Sequence, residues 1–266
     1  IIIISGGFRT ALLDQVGLER GRSSDYLVGT EISVRVSNLR HTQVYTGSEL
    51  TRGSFGWLVP TFGNNALLGT VSRKSINDKF RDLVETLKRE SIIEESMSPL
   101  QSWGIPLRPI HKTYESRVLV AGDAAGFAKP TTGGGIYYAA LSGQMAAETA
   151  VEAISSNRFN ASDLSTYEAK WKSIFGKDLL VGYYARLLYE SLDDKSLNVL
   201  LKRFSSSEVQ RELLSKDGFS FDWHSSVILK TVSNGEMASV LKALGPGVAA
   251  ILARLLKALV FESSAR

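Results

Sequence analysis

The stretch from Arg117 to Glu148, RVLVAGDAAGFAKPTTGGGIYYAALSGQMAAE, constrains this chain more than any other, because strand, glycine turn and helix follow one another in an order suited to a ligand. Val118, Leu119, Val120 and Ala121 form an unbroken apolar run, as in a short strand covered on both faces in a parallel sheet. Gly122 ends the run. Asp123 falls at the carboxyl end of that strand, where open α/β sheets bind their ligands, and its carboxylate can accept hydrogen bonds from sugar hydroxyls. Past a bend at Pro130, Thr131 or Thr132 is placed to cap a helix beginning in Gly133, Gly134 and Gly135. Three glycines leave the unsatisfied amides of that first turn open to an anion or a polarised carbonyl. Along the helix, Ile136, Ala140, Gly143, Ala147 and Ile154 fall on one stripe, expected to lie close against sheet and ligand.

The turn is not a P-loop, since no Gly-Lys-Ser or Gly-Lys-Thr follows it, and it is not GxGxxG. The whole stretch resembles the second FAD-binding motif of the geranylgeranyl reductase family, flavoproteins related to the aromatic hydroxylases and the flavin halogenases. The resemblance implies that Asp123 contacts the ribitol and pyrophosphate region of FAD, and that the glycine-rich helix start faces the pyrimidine edge of the flavin. The cofactor-binding residues it implies are Gly122, Asp123, Ala124, Gly133, Gly134, Gly135 and Ile136.

With 266 residues and 44% hydrophobic content the chain can build a real core, as one large domain or two small ones. Its formal charge of +4 comes from dispersed basic residues, not from the runs that mark nucleic-acid binding, while contact with an anionic membrane surface stays open. Without cysteine there is no disulfide, thiolate metal site or thiol nucleophile, and His41, His111 and His224 show no metal-ligand spacing. The start, Ile-Ile-Ile-Ile-Ser-Gly-Gly, has neither a basic n-region nor a cleavage site and reads as a strand, not a signal peptide. Flavoproteins of the resembled type begin with a strand, a GxGxxG turn and a helix that hold the ADP half of FAD, so the chain is expected to be a fragment lacking that segment.

Ile1 to Ile4 reads as a buried strand and Ser5 to Thr10 as a turn into a helix through Leu12, Leu13 and Val16. Family members often carry Asp-Gly and Arg-Ser in this turn; Gly6-Gly7 and Arg9-Thr10 stand here instead, which favours a structural glycine turn. From Tyr26 the runs LVGTEISVRV, HTQVYTG, FGWLVP and ALLGTVSR, separated by Gly and Asn breaks, predict an antiparallel sheet. An amphipathic helix over 75–90 follows, with Ile76, Phe80, Leu83, Val84 and Leu87 on one side. Strand alternation puts Phe55, Trp57 and Val59 on one face, either as a row of sheet core or as the wall of a cavity.

The geranylgeranyl reductases carry an aromatic-x-Trp-x-x-Pro signature along their isoprenoid channel, and the resemblance places Phe55, Trp57 and Pro60 as substrate-binding residues. Val59 stands where the family usually has Phe, halogenases have Trp where Phe55 stands, and aromatic hydroxylases commonly have His where Gly126 stands. Past Ile154 the chain reads as helical, with Leu164, Tyr167, Trp171, Ile174 and Phe175 at helical spacing, and 193–204 continues in that style. The resemblance extends from Ile4 to about Val232. Met237 to Phe261 is apolar apart from Lys242, Arg254 and Lys257 and is interrupted by Gly245-Pro246-Gly247; it either packs on its own domain or lies in a membrane interface.

The expected fold is α/β, α+β overall: a partial Rossmann-like FAD-binding domain (1–28 and 101–154), an inserted antiparallel-sheet substrate domain (29–100) and a C-terminal helical region (155–266). The function the resemblance implies is FAD-dependent saturation of C=C bonds in geranylgeranyl chains of lipids or prenyl diphosphates, with NADPH or reduced ferredoxin as electron donor. It implies a cytoplasmic enzyme, peripheral at the membrane, whose acid and base no residue pattern identifies. The alternatives are a flavin monooxygenase or halogenase on the same fold, and a flavoprotein electron carrier to quinone. Relatives of the carrier kind bind a cysteine-ligated cluster, so the absence of cysteine counts against it.

Overall fold

The computed structural model describes residues 1–21, 25–48, 50–51, 53–204, 220, 222–233 and 246–260. In chain order its elements are β1 (Ile2–Ile4), α1 (Leu12–Gln15), β2 (Tyr26–Val36), β3 (Gln43–Tyr45), β4 (Gly56–Pro60), β5 (Asn65–Ser72), α2 (Ile76–Arg89), β6 (Ile93–Ser96) and β7 (Gln101–Pro106). There follow β8 (Tyr114–Glu115), β9 (Val118–Val120), α3 (Ile136–Ser156), α4 (Ala161–Trp171), α5 (Lys177–Glu190), α6 (Asp194–Phe204), α7 (Ser225–Ser233) and α8 (Pro246–Val260). Two compact units result: Ile1–Tyr26, Ile105–Leu188 and Ser205–Arg266 form the first, Leu27–Gly104 and Tyr189–Phe204 the second.

In the first unit three strands lie in the order β1-β9-β8. β1 runs parallel to β9, with Ile2 opposite Val118 and Ile4 opposite Val120, and the Ala121 N–H donates to the Ile4 carbonyl at 2.9 Å. All of Val118, Leu119 and Val120 are buried, as the unbroken apolar run predicts. α3 and α4 pack on each other, and Phe127, Tyr138, Met145, Tyr167, Trp171 and Phe175 join the strands in one core. Polar groups that enter this core find partners, except the Thr149 hydroxyl of α3, which is buried without one among the described residues. The Tyr167 hydroxyl donates to the Val120 carbonyl at 2.7 Å, and the Trp171 indole N–H donates to the Thr113 hydroxyl at 2.9 Å. That hydroxyl in turn donates to the Glu168 carboxylate at 3.0 Å.

Two expectations about these helices are corrected. The inward stripe of α3 is Tyr138, Ser142, Met145, Ala146, Thr149 and Ala153, whereas Ile136 is 90% exposed and Ile154 61%. The helix is apolar nearly all round, so small residues carry little phase, and the Tyr138 ring, stacked on Phe175 with centroids 5.0 Å apart, sets the rotation instead. The helical run expected past Ile154 is present but carries a π-helical segment, Lys172–Gly176, between α4 and α5, which shifts its phase. Phe175 stays buried beside Trp171, while Ile174 turns outward and is 49% exposed.

α8 begins at Pro246, so the proline read as an interruption is a helix start, where its missing N–H leaves nothing unsatisfied. Val248, Leu252 and Leu255 are buried and Arg254 and Lys257 exposed, and α8 packs on α7, where Leu229 and Val232 are buried. Met237, Leu241, Lys242, Leu244, Gly245 and Phe261 lie outside the described residues. Among the described residues no helix is long and apolar enough to cross a membrane.

The second unit is the antiparallel sheet the sequence predicts, in the order β3-β4-β5-β2-β6 with β7 also paired to β2. Helix α2 covers one face, its Phe80, Leu83 and Leu87 buried in a cluster with Ile32, Val34, Leu58 and Leu68. Gly56 lets the helix come close: a β-carbon there would stand 2.8 Å from Leu83 Cδ2. Residues 189–204 are tied to this unit by polar contacts. Tyr189 donates its hydroxyl proton to the Ser54 carbonyl at 2.6 Å, and the Ser48 N–H and hydroxyl donate to Asp194 at 2.8 and 2.6 Å.

Candidate functional site

At the end of β9 the chain turns through a 3₁₀ segment, Gly122–Ala124, that carries Asp123. Gly122 has φ 61°, a conformation that favours glycine, and its N–H donates to the Ser142 hydroxyl of α3 at 3.1 Å. Gly126, at φ 81°, passes so close to the 108–109 backbone that a β-carbon would stand 2.2 Å from the Arg108 carbonyl oxygen. The loop onward to α3 is closed by two backbone hydrogen bonds, Lys129 N–H to the Gly134 carbonyl at 2.9 Å and Gly133 N–H to the Lys129 carbonyl at 2.7 Å.

α3 does begin in the glycines, but Gly135 is its N-cap and no side chain caps it, which corrects the expected role of Thr131 or Thr132. The Thr131 hydroxyl is engaged with His224 Nδ1 at 2.8 Å, and Thr132 Oγ1 lies 3.5 Å from the Gly134 nitrogen, too far for a strong bond. Asp123 fills the space that capping side chains leave. A β-carbon on Gly135 would come 2.7 Å from Asp123 Oδ1, so only glycine admits the carboxylate beside the first helical turn. Burial pushes the Asp123 carboxyl above the usual aspartate range. No described residue donates to it.

Two cavities meet at this carboxylate, both within the first unit. An open cleft of about 510 Å³ is lined by Ser5, Gly7, Gly122, Asp123, Gly135 and Gly143 among others, Ile136 and Ala139 included. A smaller cavity of about 210 Å³ is lined by Arg9, Arg108, His111, Asp123, Ala124 and Gly126 among others. Asp123, Gly122, Gly135 and Ile136 thus share the cleft; Ala124 lines only the smaller cavity, and Gly133 and Gly134 line neither. The outward face of α3 is the wall of the cleft. Its small residues meet open space, not the sheet.

In the second unit Phe55, Trp57 and Val59 share a face, half-buried, opposite the Gly56 and Leu58 face that packs on α2. The Phe55 and Trp57 rings lie 6.0 Å apart. Trp57, Gly69 and Glu31 stand at one register across β4, β5 and β2, and the indole N–H donates to Glu31 Oε2 at 2.9 Å over the bare glycine. A β-carbon on Gly69 would stand 2.2 Å from Trp57 Cζ2. The arrangement repeats two residues along β2, where a β-carbon on Gly29 would stand 2.7 Å from Trp103 Cε2. Two indoles therefore lie flat on glycines on the same sheet face, with a carboxylate between them. Pro60 ends the row.

No family model matches the chain. It is 30% identical over 217 residues to digeranylgeranylglycerophospholipid reductase 2 of Methanothermobacter thermautotrophicus, an alignment covering 79% of this chain and 55% of that protein. The chain is thus similar to geranylgeranyl reductases over most of its length. It spans about half the length of the curated relatives it matches. A solved geranylgeranyl bacteriochlorophyll reductase-like protein from Thermoplasma acidophilum has the same fold, with TM-score 0.74 at 22% identity over 92% of this chain and 62% of that one. A mutant of the halogenase PltM in complex with FAD shares it more loosely, at TM-score 0.56 and 14% identity over 99% of this chain and 63% of that one.

Sequence reasoning passed over two charged residues that the geometry brings forward. Glu31 is the one carboxylate in the alternating run LVGTEISVRV, and it occupies the phase that faces away from α2. Lys129 stands before Pro130 in the glycine-rich loop, and only 7% of it is exposed. The available signal was a lone carboxylate in the strand and a lone charge in the glycine-rich loop.

Proposed function

We propose that the protein to which this chain belongs is an FAD-dependent reductase that saturates C=C bonds of geranylgeranyl chains. The observation carrying this reading is the Asp123 carboxylate, without a partner among the described residues and seated in the gap at Gly135, in a chain similar to geranylgeranyl reductases. The cradle suits FAD. Asp123 supplies an acceptor for ribitol hydroxyls, and the outward amides of the Gly135 and Ile136 turn, free of capping side chains, suit the carbonyl-rich edge of an isoalloxazine. Gly122, Ala124, Gly133 and Gly134 shape the backbone around these groups.

Bound and reduced, FAD supplies the hydride for an alkene that has no activating carbonyl; a proton must reach the other carbon. The protein's part is then to hold the double bond and exclude water. The face that carries Phe55 and Trp57 suits a prenyl chain, because two flat indoles, Trp57 and Trp103, offer broad apolar area with little rotamer freedom to lose. The lipid substrate implies contact with a membrane surface. For the test, the whole protein is given FAD, dithionite and a geranylgeranyl lipid without oxygen, and mass spectrometry follows the gain of two hydrogens per double bond. Saturation with bound FAD is expected. A product that forms only with oxygen would overturn the reading in favour of a monooxygenase.

A further inference from the structure

Lys129 is buried beneath the glycine turn on which the flavin reading rests. Its Cε lies 3.1 Å and its Nζ 3.7 Å from the place a β-carbon on Gly134 would occupy, and its backbone closes the turn from below. The ammonium pairs with Asp222 Oδ1 at 3.0 Å, with 9% of the lysine side chain exposed and 30% of the aspartate's. Asp222 is itself fixed, since the Tyr138 hydroxyl donates to its carbonyl at 3.2 Å. An ion pair with its lysine buried is a poor way to fill space: apolar residues of similar volume are often as stable or more so. Its distinguishing property is a positive charge held beside Gly134, the residue before the Gly135 turn that lines the cleft, in surroundings where charge is weakly screened.

We propose that Lys129 is an electrostatic positioning residue for the reduced cofactor, and that Asp222 sets how much of its charge the cofactor feels. This rests on the flavin reading above. The two-electron-reduced isoalloxazine carries a negative charge on its pyrimidine side that the oxidised ring lacks, so a cation beneath the turn favours the reduced form. Asp222 competes with that anion for the same ammonium. Removing the cation and removing its competitor therefore act in opposite directions, which a purely structural ion pair does not do.

The experiment uses the whole protein with FAD, in a potentiometric titration against a reference dye, with Lys129→Met and Asp222→Asn beside wild type. Lys129→Met is expected to lower the ratio of affinities for reduced and oxidised FAD about tenfold, which lowers the two-electron potential by about 30 mV. Asp222→Asn is expected to raise the potential. Shifts of the same sign, or none in variants that hold FAD, would overturn the proposal while leaving the flavin reading in place. Failure of the wild-type protein to bind FAD in either oxidation state would overturn both. Should Lys129→Met not accumulate as folded protein, the sign of the Asp222→Asn shift decides alone: upward supports the proposal, and downward or absent overturns it.

Discussion

Gly69→Ala tests the aromatic face at its most constrained point. Gly69 sits inside β5 without a left-handed φ, so on backbone grounds alanine should be tolerated there and even favoured, by about 0.5–1 kcal/mol. The indole reverses that sign. The new methyl would stand 2.2 Å from Trp57 Cζ2 and 2.4 Å from Cε2, so the ring must lift off the sheet. Lifting it takes the N–H away from Glu31, 2.9 Å distant, and leaves that carboxylate half-buried without its donor. Overpacking costs about 1–3 kcal/mol and loss of a hydrogen bond to a charged group about 1.5–3, so the expected destabilisation is about 2–5 kcal/mol by urea unfolding. The same substitution in a Trp57→Ala background should cost far less, though not become fully favourable, because the Thr30 carbonyl oxygen also lies 2.8 Å from the added carbon. An equal cost in both backgrounds, with coupling within about 0.5 kcal/mol of zero, would refute the seating of the indole on Gly69.

Asp123→Asn should weaken FAD binding while stabilising the cofactor-free protein at neutral pH. Burial raises the folded pKa of Asp123, so its contribution is least unfavourable below the unfolded value near 3.8 and worsens as pH climbs through the raised folded value; an amide avoids that loss, and a melting temperature unchanged across this window would count against the argument. Gly126→Ala places a carbon 2.2 Å from the Arg108 carbonyl at φ 81° and should destabilise the first unit by more than about 4 kcal/mol, read as lost soluble yield; wild-type stability would show that the 108–109 backbone can move aside. Trp57→Ala should cut anaerobic turnover about a hundredfold with bound FAD retained, since misplacement of a substrate by about an ångström costs that much; near-normal turnover per bound flavin would remove Trp57 from the substrate wall.

The parts of the fold legible in the sequence are those where one physical rule acts alone. Val118, Leu119 and Val120 had to be covered on both faces, and the alternating runs of the second unit had to pair antiparallel. α2 shows its phase because Phe80, Leu83 and Leu87 contrast with charged neighbours. α3 offers no such contrast, and its rotation depends on Tyr138 finding Phe175, a residue 37 positions on, which local pattern does not contain. The helix cap failed for a related reason. Thr131 is the right kind of residue in the right place, but His224, far along the chain, claims its hydroxyl, and Asp123 occupies the ground in front of Gly135.

The glycines of the candidate site show why a motif reads more clearly than the chemistry it serves. Gly122 and Gly126 are required by backbone geometry alone, and Gly135 by a neighbouring carboxylate; each constraint shows in the sequence as the same letter. Gly29 and Gly69 look no different, yet each is the floor beneath an indole. A glycine records that something comes close and not what it is, so the partner has to be read from the fold. The residues that come close here, Asp123, Lys129 and Trp57, supply an acceptor, a cation and an apolar plane, and a scaffold shared by several chemistries is told apart by such groups and not by its glycines.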